Sequence, residues 1–169
     1  MDGEYINVID SSGRITGKAT RQECHSDKSL AHRAVHVLVF NSRGELFLQK
    51  RSMNKDIQPG KWDTSVGGHL NLDETFDQAV LREMREELGI SAPVKHLYDY
   101  WMHSEVETEY VHTYMCVYDG DIEFDHNEIE DGRFWSREEI EINIGAGVFT
   151  PNFEEEYRRY SRKTTSNAG

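Results

Sequence analysis

A chain of 169 residues fits one domain of ordinary size. Only 37% of residues are hydrophobic, but three Trp, eight Tyr and seven Phe supply core material and argue against wholesale disorder. Nineteen basic against 31 acidic residues leave a net charge of −12, which excludes a nucleic-acid groove or an anionic membrane surface as the main partner and admits phosphate compounds only where cations or local basic residues cancel the field.

Met1 to Val8 carries no apolar leader-like run, and nothing later approaches the roughly 18 apolar residues of a membrane span. Tyr5–Ile9, the turn Asp10–Gly13 and Ile15–Ala19 predict an N-terminal hairpin, within about 4–20. Cys24 and Cys116 form neither a disulfide framework nor a metal-binding pair, which fits a reducing cytoplasm. Ala34–Phe40, the turn Asn41–Gly44 and Glu45–Gln49 predict a second, stronger hairpin. Asn54–Asp63, with Pro59-Gly60, reads as a loop. Helical periodicity runs over Thr75–Leu88 and stops at Gly89. Tyr110–Tyr118 reads as a strand, Glu128–Asp131 as an acidic turn and Gly132–Trp135 as a short strand. Glu138–Ile142 and Asn152–Arg162 read as helices, the second exposed and self-paired through Glu154–Glu156 with Arg158-Arg159, and 164–169 as a frayed tail. Strand hairpins with interspersed helices predict an α/β fold: a mixed sheet sandwiched by helices, in a single domain over 1–163.

The helix beginning after Thr75 carries the chemistry. Thr75 and Gln78 form a capping box, Asp77 suits the positive first turn, and Gly89 suits a left-handed C-terminal position. Phe76, Val80, Met84 and Leu88 make an apolar arc, yet Glu83, Glu86 and Glu87 stack beside or inside it at i, i+3 and i+4. Like charges at that spacing repel. They suit either a solvated acidic face or, where water is partly excluded, a divalent cation.

The surrounding segment runs Gly68, five residues, Glu74, seven residues, then Arg82-Glu83-Met84-Arg85-Glu86-Glu87-Leu88-Gly89-Ile90. It resembles the signature box of the Nudix hydrolases, over 68–90, at each defining position, and is specific where a lone glycine-rich motif is not. The resemblance implies an α/β/α sandwich whose Mg²⁺ or Mn²⁺ bridges a diphosphate and activates water for in-line attack at phosphorus. It implies Glu83, Glu86 and Glu87 as metal ligands beside the Gly68 backbone, with Glu83 or a loop glutamate as base. Arg82 would orient a carboxylate and Glu74 would support the loop. Glu128–Asp131 falls where such enzymes often keep a further glutamate.

A second likeness covers roughly residues 5–140. His25, His32-Arg33-Ala34, Leu48–Arg51, Lys55, Pro59–Trp62 and Gly68-His69 look like type 1 isopentenyl-diphosphate isomerase, which shares the Nudix fold. That resemblance implies a second metal site of His25, His32 and His69 with Glu107 and Glu109 from Glu107-Thr108-Glu109. It also implies a grip on a distal phosphate by Arg51 and Lys55. The isomerase cysteine, however, falls on Gly67, which has no proton to transfer, and isomerases carry a degenerate box where this one is complete. Trp62, Tyr98, Trp101 and Tyr110 are candidates either for core packing or for holding a base or prenyl tail. The expectation is a cytoplasmic hydrolase of a small organic diphosphate, binding no nucleic-acid polymer and no membrane, with a homodimer as the assembly considered. Its rivals are the isomerase and a non-catalytic phosphate-ligand sensor.

Overall fold

The computed structural model describes residues 4–55 and 58–168, with side chains as far as 164. Met1–Gly3, the Asp56-Ile57 part of the expected loop and Gly169 of the expected tail lie outside the described residues. The class is α/β, with a mixed sheet and helices. Two compact units divide the chain, one of 1–37 with 66–116 and one of 38–65 with 117–169.

The first unit holds β1 (Tyr5–Ile9), β2 (Ile15–Thr20), α1 (Arg21–Ser26), most of β3 (His32–Phe40), β6 (Val66–His69), α2 (Phe76–Leu88), β7 (Lys95–His103) and most of β8 (Thr108–Val117). β1 and β2 form the expected antiparallel hairpin, and β3 pairs with β1, β6 and β8. The β3–β6 register sets Ala34 opposite His69 and His36 opposite Gly67. Helix α2 begins after Thr75, whose hydroxyl accepts from Gln78 N–H, and ends at Gly89 in the left-handed region at φ 66°. Its buried face is Ala79, Val80, Met84 and Leu88. Phe76 stays half-buried and stacks on His112 instead of completing the apolar arc.

Three elements of this unit go beyond the expected set: α1, the short strand β6 and β7. α1 is only six residues long, with Cys24 its one buried side chain, and is held by a capping box of Thr20 and Glu23. β7 pairs with β8 through a register shift between His96 and Tyr98, and that extra residue breaks the alternation by which a strand is recognised.

The second unit holds the end of β3, β4 (Leu46–Arg51), β5 (Trp62–Asp63), β9 (Ile129–Trp135), α3 (Arg137–Asn143) and α4 (Pro151–Ala168). β4 runs antiparallel to both β5 and β9. The acidic turn expected at Glu128–Asp131 is corrected: Ile129–Asp131 already belong to β9, because Asp131 pairs with Lys50 and Ile129 with Arg51. Trp135 packs edge-on against Trp62 and Phe149, and Phe149 against Phe153. The frayed tail is corrected too, since α4 continues to Ala168. Glu155 makes the expected pairs with Arg158 at 3.3 Å and Arg159 at 3.0 Å. The helix is not simply exposed, however, because Phe153 and Glu156 are fully buried. Among the described residues no helix is long and apolar enough to cross a membrane.

Candidate active site and metal centre

All the box residues lie in the first unit. Gly68 stands opposite Val35 on β6, and a Cβ there would lie 2.3 Å from the Glu83 carboxyl carbon and 2.5 Å from each of its oxygens. Only a residue without a side chain lets the α2 carboxylate come this close to the loop backbone. Arg82 organises the acids around it. Its Nε and Nη2 donate to the two oxygens of Glu74 at 2.8 Å each, and Nη1 donates to Glu83 at 2.7 Å and Glu86 at 3.1 Å. Nη2 also reaches the His69 carbonyl at 3.0 Å. Planar guanidinium donors in a fixed fork suit this bridging in a way a lysine ammonium does not. The Arg82 side chain is 17% exposed, Glu74 12% and Glu83 13%, whereas Glu86 is 58% exposed. The Glu74 bonds raise the Arg82 guanidinium further above its ordinary range, and the same bonds, opposed by burial, hold the Glu74 carboxyl below its own. Glu87 is half-buried on the same helix, short of the buried position its place in the apolar arc suggests.

The loop bearing Glu74 is tied down by residues that sequence reasoning missed. Asn7 Oδ1 accepts from Asp73 N–H at 2.8 Å and from Arg33 Nη2 at 2.7 Å, and Arg33 Nη1 donates to the Glu74 carbonyl at 3.0 Å. Glu74 itself accepts from Asn71 N–H at 2.8 Å. The available signal was Asn7, a buried amide between Ile6 and Val8 in an otherwise apolar strand.

Four elements and a loop bring the second set of candidates together: α1 with His25, β3 with His32, β6 with His69, β8 with Glu109, and the residue just before β8, Glu107. His32 Nε2 lies 3.2 Å from Glu107 Oε1 and 3.3 Å from Glu109 Oε2, and His69 Nε2 lies 3.1 Å from Glu109 Oε2. His25 Nε2 is 3.2 Å from His69 Nε2 and 3.6 Å from Glu107 Oε1. His32 is wholly buried, and its Nε2 and the Glu107 Oε1 facing it have no hydrogen-bond partner despite their proximity. Burial pushes the His32 and His69 imidazoles down, but Glu107 and Glu109 outweigh it, carrying His32 up to about 9 and raising His69 as well. Burial likewise pushes both glutamates up and is overcome by the two histidines, which hold Glu107 at about 2 and Glu109 below the carboxylate range. His25, facing fewer charges, is lowered by burial.

Three imidazoles and two carboxylates converging, with two buried polar atoms left unbonded, fit a divalent cation, which would take the place of the imidazole proton and bind the nitrogen and carboxylate oxygens directly. The box fits one too: Glu83, Glu86 and Glu87 offer hard carboxylate oxygens beside a cradle that a Cβ would fill. This close approach has a measurable consequence. Gly68→Ala must push the Glu83 carboxylate aside, so turnover should fall about 10-fold while thermal unfolding hardly moves, as steady-state kinetics and calorimetry would show.

Gly67 is exposed beside His36, whose Cδ2 would lie 3.3 Å from a Cβ placed there. Tyr98 packs near Tyr100, and Trp101 against Tyr110. Trp62 belongs to the second unit and packs against Trp135, and the two phosphate-grip candidates there each face an acid: Arg51 Nη1 lies 3.6 Å from Asp63, and Lys55 Nζ 3.5 Å from Glu128.

The family model described as NUDIX domain matches residues 30–153. An uncharacterized Nudix hydrolase of Listeria monocytogenes is 31% identical over 155 residues, 89% of this chain and 90% of that protein. Isopentenyl-diphosphate Delta-isomerase 2 of Photorhabdus laumondii is 28% identical over 158 residues, 89% of each chain. Among solved structures, a protein from Deinococcus radiodurans aligns with a TM-score of 0.80 at 25% identity, covering 92% of this chain and 98% of its own.

Proposed function

The chain belongs to the Nudix family and is a hydrolase within it, and from that premise we propose that it hydrolyses the diphosphate linkage of a small organic diphosphate or nucleoside diphosphate derivative with Mg²⁺ or Mn²⁺. The observation that carries this reading is the Glu83 carboxylate seated against Gly68 and bonded to Arg82, with Glu86 and Glu87 on the same helix. A divalent cation held by Glu83, Glu86, Glu87 and the Gly68 backbone would neutralise the diphosphate and make water acidic enough to attack.

The chain's own residues then have distinct tasks. Glu83 or a loop glutamate takes the proton as the water oxygen bonds to phosphorus in line, and the bridging P–O bond breaks with its electron pair leaving on the departing phosphate. The products are a phosphate-bearing fragment and either phosphate or a nucleoside monophosphate. Arg82 keeps the carboxylates aimed by occupying one side of each, so that their other lone pairs face the reacting groups. Glu74 holds the loop through Asn71. For Arg51 and Lys55 the sequence resemblance supports contact with a distal phosphate.

The histidine–glutamate cluster supports a second reading, isomerisation of isopentenyl diphosphate, as does the likeness to the Photorhabdus isomerase. Against it, glycine at 67 supplies no proton-transfer group. One set of incubations separates these readings: nucleotides, sugar nucleotides, thiamine diphosphate and prenyl diphosphates, each with Mg²⁺ or Mn²⁺ in D₂O. Release of phosphate or a phosphomonoester is expected, with no deuterium entering dimethylallyl diphosphate. Steady deuterium incorporation at ordinary enzyme rates would promote the isomerase, and tight binding without turnover of any compound would make the domain a sensor.

A further inference from the structure

Another cluster of metal-ligating side chains lies on the β7–β8 ribbon, on the pleat face opposite Glu109. Along β8 the side chains of Tyr110, His112 and Tyr114 share one face, while Glu109, Val111 and Thr113 share the other. The pairing runs Asp99 with His112, Tyr98 with Thr113 and His96 with Tyr114. In a regular ladder Leu97 would stand opposite Tyr114; the register shift inserts one residue into β7 and puts His96 there instead. His96 and Asp99, three apart in sequence, therefore share a face with His112.

Nε2 of His96 lies 2.5 Å from Asp99 Oδ1, and Nε2 of His112 lies 3.5 Å from the same oxygen. One ligand atom from each of the three residues falls within 4.8 Å of the others. The arrangement is held from outside. The His112 ring stacks flat on Phe76, the first residue of α2, with centroids 3.5 Å apart and planes 7° from parallel. The Tyr110 hydroxyl donates to the other Asp99 oxygen at 3.5 Å. Side-chain exposures of 47% for His96, 31% for Asp99 and 20% for His112 leave room for water on the open side.

We propose that His96, Asp99 and His112 form a surface site for a divalent transition-metal ion of the zinc, nickel or copper class, separate from the box and from the His25 cluster. Two imidazoles and one carboxylate are a borderline donor set that suits these ions, whereas Mg²⁺ takes oxygen ligands and keeps its waters. Water fills the remaining positions. The bound ion pins the bulged strand to its partner, and because it binds only the folded ribbon it stabilises the protein.

Zn²⁺ alone is the probe, titrated into the full chain in excess Mg²⁺ with the free ion set by a chromophoric chelator, while histidine ring ¹H–¹⁵N spectra are recorded. The His96 and His112 ring signals should shift together. His96→Ala and His112→Ala should each bind one equivalent fewer than the unsubstituted chain while keeping its far-UV circular dichroism. An unchanged number of equivalents in both folded variants overturns the site. So do His96 and His112 rings that stay put while His25, His32 and His69 respond. Should a variant fail to fold, the ring shifts of the unsubstituted chain decide alone.

Discussion

Glu83→Gln and Glu87→Gln are each expected to cut turnover at least about 100-fold while leaving the fold intact, because each removes a ligand charge at nearly constant shape. Glu83 is the stronger test of geometry. Its carboxylate is 13% exposed, seated against Gly68 and bonded to Arg82. The glutamine oxygen can still accept the Arg82 bond, so the helix keeps its position. Helix content should hold or rise slightly, since one member of a like-charge row at i, i+3 and i+4 spacing is neutralised. Mg²⁺ titrations of activity read the ligand role directly: the variants should need more metal and still fall short at saturation. Near-normal turnover of Glu87→Gln at saturating Mg²⁺ and substrate would remove Glu87 from the ligand set.

Arg82→Leu should destabilise the protein by about 2–3 kcal/mol and also abolish most activity. Breaking a fully buried ion pair costs roughly 3–5 kcal/mol, because the surviving charge is left uncompensated. Here three carboxylates survive, of which Glu86 is largely exposed and Glu74 and Glu83 each keep some exposure, which lowers the figure. The pH dependence follows in sign from Glu74. The Arg82 bonds, against burial, depress its folded pKa below the ordinary 4.5. Its contribution to stability is therefore complete above that value and is lost as pH falls through the folded pKa. The gap in stability between the parent chain and Arg82→Leu should be full at neutral pH and shrink on acidification below about pH 4. Urea unfolding at pH 7 and pH 3 would show it; a gap that widened in acid would contradict the assignment of Arg82 as the group holding Glu74 ionised.

Helix α2 and the first two hairpins were legible because their determinants are local. Thr75 with Gln78, Gly89 in the left-handed region, and the turns at Asp10–Gly13 and Asn41–Gly44 act within a few residues of one another. The same locality makes the row Glu83, Glu86, Glu87 readable, since three residues on one helix share a side by the helical repeat alone. What Arg82 does was readable only in part. Its i+1 and i+4 acids are neighbours by sequence, but its bidentate grip on Glu74 and its bond to the His69 carbonyl depend on how the loop is folded back by Asn7 and Arg33, 66 and 41 residues away from their partners.

The histidine–glutamate cluster was nameable from a family likeness, but its convergence belongs to the tertiary structure. Its members come from α1, β3, β6, β8 and the loop just before β8, and α1 is too short and too poor in apolar residues to announce itself. Strand β7 and the His96, Asp99 and His112 group were missed for a related reason. Alternation presumes an unbroken two-residue repeat, and one inserted residue between His96 and Tyr98 transfers His96 to the other face. Periodicity within one segment thus determined which residues share a side, while the register between segments, which no single segment encodes, decided which of those sides meet.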